Sequence, residues 1–369
     1  MITRRKILWL AAAGLAGCRP RRGSGFPGYA FVADQDGRSL AAVDLTAFAL
    51  TRHIPLSASP SEVVADASRK RVYALTPSTG TLHEIDPGDL TVLRRVRVAQ
   101  RPVSMRLAPE GGLLWVSCAE PRQLSGVSLE RFQLERRIPL PAEPEDFELA
   151  RDGRICVVTH GSDGTVSLID LAADRLVGSM RVGPDAGKVC VRMDGKIALV
   201  ADRVRRAICV LETVSGRLVT TLQIALKPEY MSFKPDGGEM FVTGEGMDAV
   251  VIVNPYYTEV AETVLAGRAP AAMAFSRSPE YLFVVNPPAG DVAIFDPETR
   301  RVVAVVAVGP DPAFVTVTPD DAYALILSRS GTMAVIRPAA VVPRRTRGAP
   351  LFTTIPVGSR PVHAAVLAV

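Results

Sequence analysis

An apolar run ending in a turn residue returns along this chain at a nearly constant interval of 42 residues. The runs FVAD, YALT, WVSC, VVT, LVAD, FVTG, FVVN and LILS end at Asp34, Thr76, Cys118, Thr159, Asp202, Gly244, Asn286 and Ser328. A second series, Asp44, Asp86, Ser128, Asp170, Glu212, Asn254, Asp296 and Arg337, keeps the same interval independently. A third opens each unit: Pro60, Pro102, Pro144, Gly187 in place of proline, Pro228, Pro270, Pro312 and, after a longer last step, Pro361. A period of this length marks a repeat architecture and is read before any other feature.

Each unit holds four runs rich in Val, Leu, Ile and Phe, separated by turn signals such as PEGG (109–112), RDG (151–153), MDG (193–195) and KPDGG (234–238). Four strands per 42 residues is the pattern of a β-propeller blade. Residues 29–369 number 341, which eight units of 42 fill, whereas seven would need nearly 49 each. The fold expected is therefore all-β, a propeller of eight four-stranded blades, with seven as the alternative. Tyr29–Leu56 supplies three strands of a unit and Val362–Val369 supplies a first strand, so the two ends are expected to share one blade. That closure removes exposed sheet edges. In the first strands, the third and fifth residues after the opening Pro are large and apolar, as in Met105/Leu107, Phe147/Leu149, Met231/Phe233 and Met273/Phe275. That is period two with one side on a neighbouring blade, so these side chains read as core.

The first 17 residues form a separate object. Arg4, Arg5 and Lys6 precede the apolar run Ile7–Leu15, whose nine residues are too few to span a bilayer, which needs about 20. This reads as an export signal. Leu15-Ala16-Gly17-Cys18 resembles the bacterial lipoprotein cleavage box, and by that resemblance Cys18 is lipidated and residues 18–28 are a linker to a single domain, 29–369. An ordinary signal with an incidental cysteine is the alternative. TRRKIL also resembles a twin-arginine signal, so the export route stays open. The expected location is the bacterial cell envelope, on its periplasmic or surface face. Arg19, Arg21 and Arg22 would lie against lipid headgroups or belong to a solvated linker.

Export changes the charge balance. Setting residues 1–17 aside leaves 40 basic against 38 acidic side chains, which is not a nucleic-acid-binding balance. The remaining cysteines, Cys118, Cys156, Cys190 and Cys209, show neither metal nor haem-attachment spacing. They read as buried thiols, with one disulfide open in an oxidising compartment.

LFVVN (282–286), MFVTG (240–244), the PDG turn and the VxxxP blade ends resemble the YVTN-type β-propeller repeat family over essentially the whole mature chain. The resemblance implies an envelope or surface protein, often without known activity. Its members are mostly seven-bladed; a count of eight also matches quinoprotein dehydrogenases and the haem propellers of periplasmic nitrite reductases. The tryptophan docking pattern of the quinoproteins is missing, since the chain has 2 Trp, one of them in the signal.

Chemistry is sought where the units differ. The repeated Asp44, Asp86, Asp170 and Asp296 read as turn caps. Counted from the Pro or Gly187, the second residue reads Glu62, Ser104, Asp146, Val189, Tyr230, Ala272, Phe314, His363, and the first reads Ser61, Val103, Glu145, Lys188, Glu229, Ala271, Ala313, Val362. These are expected to crowd a channel mouth that is acidic at Glu62, Glu145, Asp146 and Glu229, opposed by Lys188, Arg101 and His363. His363 beside carboxylates suits a metal or a general base, or has no role. Arg106 and Glu148 are expected to pair. Arg203, Arg205 and Arg206 near His160 suit an anion, or a solvated charge run. The basic insertion VVPRRTRGAP (341–350) is a candidate partner or headgroup contact.

The reading reached is a non-catalytic, envelope-anchored scaffold that binds a protein, peptide or glycan over the mouth face, with Glu62, Arg101, Glu145, Asp146, His160, Lys188, Arg205, Glu229, Tyr230 and His363 as binding residues. The alternatives are a haem- or quinoprotein-like redox propeller and a lactonase-like hydrolase. No cofactor or metal is called for, nucleic acid is not expected, and the chain is expected to be a monomer held to the membrane by its lipid.

Overall fold

The computed structural model describes residues 25–341 and 350–369. The expected signal, Cys18, most of the linker and most of the 341–350 insertion lie outside the described residues. Thirty-two strands, β1–β32 in chain order, make eight four-stranded antiparallel sheets. In seven of them chain order is spatial order. The eighth is blade 1, in which β32 (Pro361–Ala368) lies beside β1 (Gly28–Asp34), followed by β2 (Ser39–Asp44) and β3 (Ala49–Pro55). Blades 2 to 8 begin with the inner strands β4 (Glu62–Asp66), β8 (Arg101–Leu107), β12 (Asp146–Leu149), β16 (Ala186–Val191), β20 (Lys227–Phe233), β24 (Met273–Arg277) and β28 (Pro312–Val317). Consecutive inner strands touch all the way round, β28 meeting β32 and β32 meeting β4. The molecule is an eight-bladed propeller closed by its own head and tail. Among the described residues no helix is long and apolar enough to cross a membrane.

The alternation of each strand explains the ring. In blade 1, Ala30, Val32, Ala41 and Val43 pack on Leu325, Leu327 and Val335 of blade 8, while Phe31, Ala33, Leu40 and Ala42 pack on Val63, Val72 and Ala74 of blade 2. The same holds at every junction, so the core is eight apolar clusters, one between each pair of neighbouring blades. No blade buries both its faces alone. Phe31, Tyr73, Phe147, Phe241, Phe283 and Phe295 are fully buried, each contributing roughly 1.5–3 kcal/mol by burial.

The turns carry the period too. Asp44, Asp86, Asp170 and Asp296 each accept a bond from the backbone N–H two residues on, at 2.7, 2.8, 2.9 and 2.9 Å. Four residues after these aspartates, and at the matching places in other blades, φ is positive: Phe48, Leu90, Phe132, Asp174, Gly216, Thr258 and Arg300. At Gly80, φ is +64° and a Cβ would come within 1.7 Å of the Ala99 carbonyl oxygen, so only glycine fits.

Closure is made in hydrogen bonds. β1 and β32 pair from Gly28↔Ala368 to Ala33↔His363. Val369 N–H donates to the Pro27 carbonyl at 3.2 Å. The Asp34 carboxylate accepts from Ser359 and Arg360 N–H, both at 3.0 Å.

Candidate functional site

The inner strands deliver one side chain each to the centre, and pairing corrects the register read from sequence. Ala186, not Gly187, occupies the proline place: it pairs with Asp202 as Pro102 pairs with Cys118, Pro228 with Gly244 and Pro312 with Ser328. A β-bulge follows that residue in blades 3, 5, 6 and 8 and re-aims the side chain beyond it. Lys188 therefore stands in the ring, and Val189 is buried between blades. The ring is Glu62, Ser104, Asp146, Lys188, Tyr230, Ala272, Phe314 and His363. All eight line one cavity of about 720 Å³, together with Ser61, Arg106, Met273, Arg329 and their neighbours.

The cavity has a charged side and an apolar side. On the charged side, Arg106 Nη1 donates to Glu62 Oε1 at 2.9 Å and Nη2 to Asp146 Oδ1 at 3.3 Å. Glu148 is the more distant partner, at 3.9 Å from Nε, so the expected Arg106–Glu148 pair is one corner of a larger network. Lys188 Nζ donates to Asp146 at 3.1 Å. Burial works against the Arg106 charge, but Glu62, Asp146 and Glu148 more than offset it and its pKa stands above the ordinary value. Burial raises the Glu62 and Glu148 carboxyls, with Arg106 opposing. The apolar side comes from blades 6 to 8 and includes Met231, Ala272, Met273, Phe314 and Val315.

Three ring side chains also stitch blades together, which the sequence did not show. His363 Nδ1 accepts from Val63 N–H at 3.4 Å, Glu62 Oε2 from Met105 N–H at 2.7 Å, and Asp146 Oδ2 from Val189 N–H at 3.1 Å. With Nδ1 accepting, the proton of the neutral imidazole sits on Nε2. Burial, then Arg106 and Lys188, push the His363 pKa down to about 4, and its ring lies 4.5 Å from that of Phe314.

The other expected site residues are not in the cavity. Arg101 is exposed and paired with Glu120 at 2.7 Å and Glu143 at 2.8 Å. Glu145 holds Arg203 at 2.6 Å, and Arg203 is held from its other side by Asp185 at 2.7 Å. Glu229 pairs with Lys227 at 2.9 Å. Arg205 lies 3.8 Å from Asp202. These side chains answer charges on their own or a neighbouring blade, which spacing alone does not reveal. His160 is a plain correction: it is buried, with Nε2 on Ser167 Oγ at 2.8 Å and Nδ1 facing the Glu143 carbonyl at 3.3 Å. It offers nothing to an anion beside the Arg203–Arg206 loop. Arg329 was missed. It follows Ser328 at the end of the second strand of blade 8, and that position is the signal that would have found it.

Among the described residues no group of three or more His, Cys, Asp or Glu is placed to hold a metal ion. The four described cysteines are free, and burial raises the Cys118 thiol to about 11.

No family model matches this chain, and no curated protein matches it. Solved structures do. The dihydro-heme d1 dehydrogenase NirN, in complex with DHE, is similar at 15% identity with a TM-score of 0.78, covering 94% of this chain and 76% of that one. The hydrazine synthase of Kuenenia stuttgartiensis gives 20% and 0.61, over 77% and 96% of the two chains. A functionally unknown protein from Desulfotomaculum acetoxidans gives 12% and 0.62, over 92% and 99%. At these identities the likeness concerns the fold alone.

Proposed function

We propose that this chain is a non-catalytic binding propeller, exported and held in the cell envelope through lipid on Cys18, that seats a group of an envelope protein, peptide or glycan in its central cavity. One observation carries this reading. Where the fold needs a side chain, the repeats supply the same kind, as with the turn aspartates; at the ring, eight blades supply eight different residues that converge on one open cavity. A volume of about 720 Å³ lies within the roughly 300–1,000 Å³ of small-ligand sites.

The chemistry favours holding over reacting. Glu62 and Asp146 have both oxygens engaged by Arg106, Lys188 or backbone N–H. His363, with a pKa near 4, is a weak base at neutral pH.

A heme-type ligand, as carried by NirN, is the second reading to test against these residues. A metal-ligating imidazole turns a lone pair to the metal and donates its other N–H to an acceptor. His363 is wired the opposite way, with Nδ1 facing the Val63 N–H. His363, so wired, does not fit axial ligation of iron.

The experiment is site-specific photo-crosslinking in whole cells. A photoreactive residue at Tyr230, in the cavity, is expected to give a discrete adduct, and one at Asp89, on an exposed turn of blade 2, is not. Equal labelling from both positions, or none from Tyr230, would remove the cavity as the binding site.

A further inference from the structure

We propose that the cavity selects an anionic group, a carboxylate carried on a short apolar body. The inference rests on the binding reading above and concerns what that site accepts. Its basis is the balance of donors and acceptors left over once the protein's own bonds are made.

The carboxylate oxygens that line the cavity are each already engaged. Both oxygens of Glu62 accept, from Met105 N–H and Arg106 Nη1. Both oxygens of Asp146 accept, from Arg106 and Lys188 on one and Val189 N–H on the other. Donors remain on all sides. Lys188 Nζ carries three protons and has Asp146 as its partner among the described residues. Arg329 donates from Nη1 to Asp311 at 3.2 Å, which leaves most of its guanidinium protons. His363 and Tyr230, each with one side-chain proton to donate, line the same space. Ser61 Oγ, also in the lining, is buried and has no partner in the structure.

A cationic ligand meets the opposite situation. At Glu62 or Asp146 it competes with Arg106 and Lys188, and displacing either leaves a partly buried cation without its counter-charge. An anion instead finds donor residues from blades 1, 5, 6 and 8 around one opening. Its apolar body faces Met231, Ala272, Met273, Phe314 and Val315.

The test uses the full chain and a fragment panel of matched acids, amides and amines, with phenylacetate, phenylacetamide and 2-phenylethylamine among them. Binding is read by ligand-observed NMR and calorimetry. Acids are expected to bind at least tenfold tighter than their amides, with the amines weakest. Lys188→Met and Arg329→Met should each weaken phenylacetate at least tenfold and leave phenylacetamide within about twofold. Thermal melts establish that both variants are folded, and Arg329, on an exposed loop, serves where Lys188→Met perturbs the ring. Amines or amides that bind as tightly as acids, or acids indifferent to both substitutions, overturn the proposal while leaving a binding cavity. A panel in which no fragment of any charge binds also overturns the proposal, while the crosslink from Tyr230 decides the binding reading separately.

Discussion

His83 is buried without a charge partner. Its Nε2 lies 3.1 Å from Thr76 Oγ1 and 3.3 Å from Ser57 Oγ, and its Nδ1 has no partner in the structure. Burial, then Arg95, push its pKa down to about 4. The unfolded chain binds that proton near pH 6.5, so between the two values the unfolded state holds more protons. The stability His83 contributes is whole above about pH 6.5 and is lost as the pH falls towards 4. At pH 5 the loss is about 2 kcal/mol for this one group. Thermal melts should therefore fall between pH 7 and 5, and His83→Gln should flatten that fall; parallel curves for the two proteins would sink the assignment. Phe48, Leu90 and Phe132 show the same scale from the backbone side. A left-handed residue costs roughly 1–2 kcal/mol, and here it is offset by packing, as where Phe132 stacks on Tyr73 and lies under Arg94. His363 was legible as a mouth residue. Its proton arrangement was not, because it depends on a backbone N–H 300 positions away in the chain.

At the scale of an element, β32 decides whether the ring is a ring. It covers β1 on one edge and fills clusters with Ala364 and Leu367 on either side of blade 1. A chain ending at Pro361 should leave β1 as an open edge with apolar faces on both sides and form aggregates, read by size exclusion with light scattering. A monodisperse monomer with an unchanged melting temperature would deny β32 this role. The strand was readable because its three partners sit at the other end of the sequence and the unit count needs a fourth. The inner strand of blade 5 was misread by one residue. Its proline is replaced by Ala186, a glycine follows, and the bulge that restores the register is a feature of pairing with β17 (Ile197–Asp202). That slip exchanged Lys188 for Val189, which shows how far a one-residue error in a strand carries.

For the whole molecule, the break point of the chain is itself a stabilising device. Val369 and Pro27 are hydrogen-bonded neighbours, so the termini of the disc can be joined without strain. A circular permutant with Val369 linked to Gly25 and opened before Pro361 would have eight uninterrupted blades and no strand supplied from the far end. It should fold to the same disc but unfold faster, measured as an unfolding rate in denaturant, since the two ends of the chain would no longer be tied through one sheet. An equal rate would show that the apolar clusters alone hold the ring.

The sequence by itself determined the number of blades, the strand order within each and the sharing of one sheet by the two ends. These follow from a 42-residue period and from alternation along strands, both of which are local and additive along the chain. Only the tertiary structure decided which side chains meet. Arg106 lies between Glu62 and Asp146, each from another blade, and Glu145 is turned away to Arg203. Such meetings depend on the curvature of the ring and the bulges of its inner strands, and no single repeat contains them.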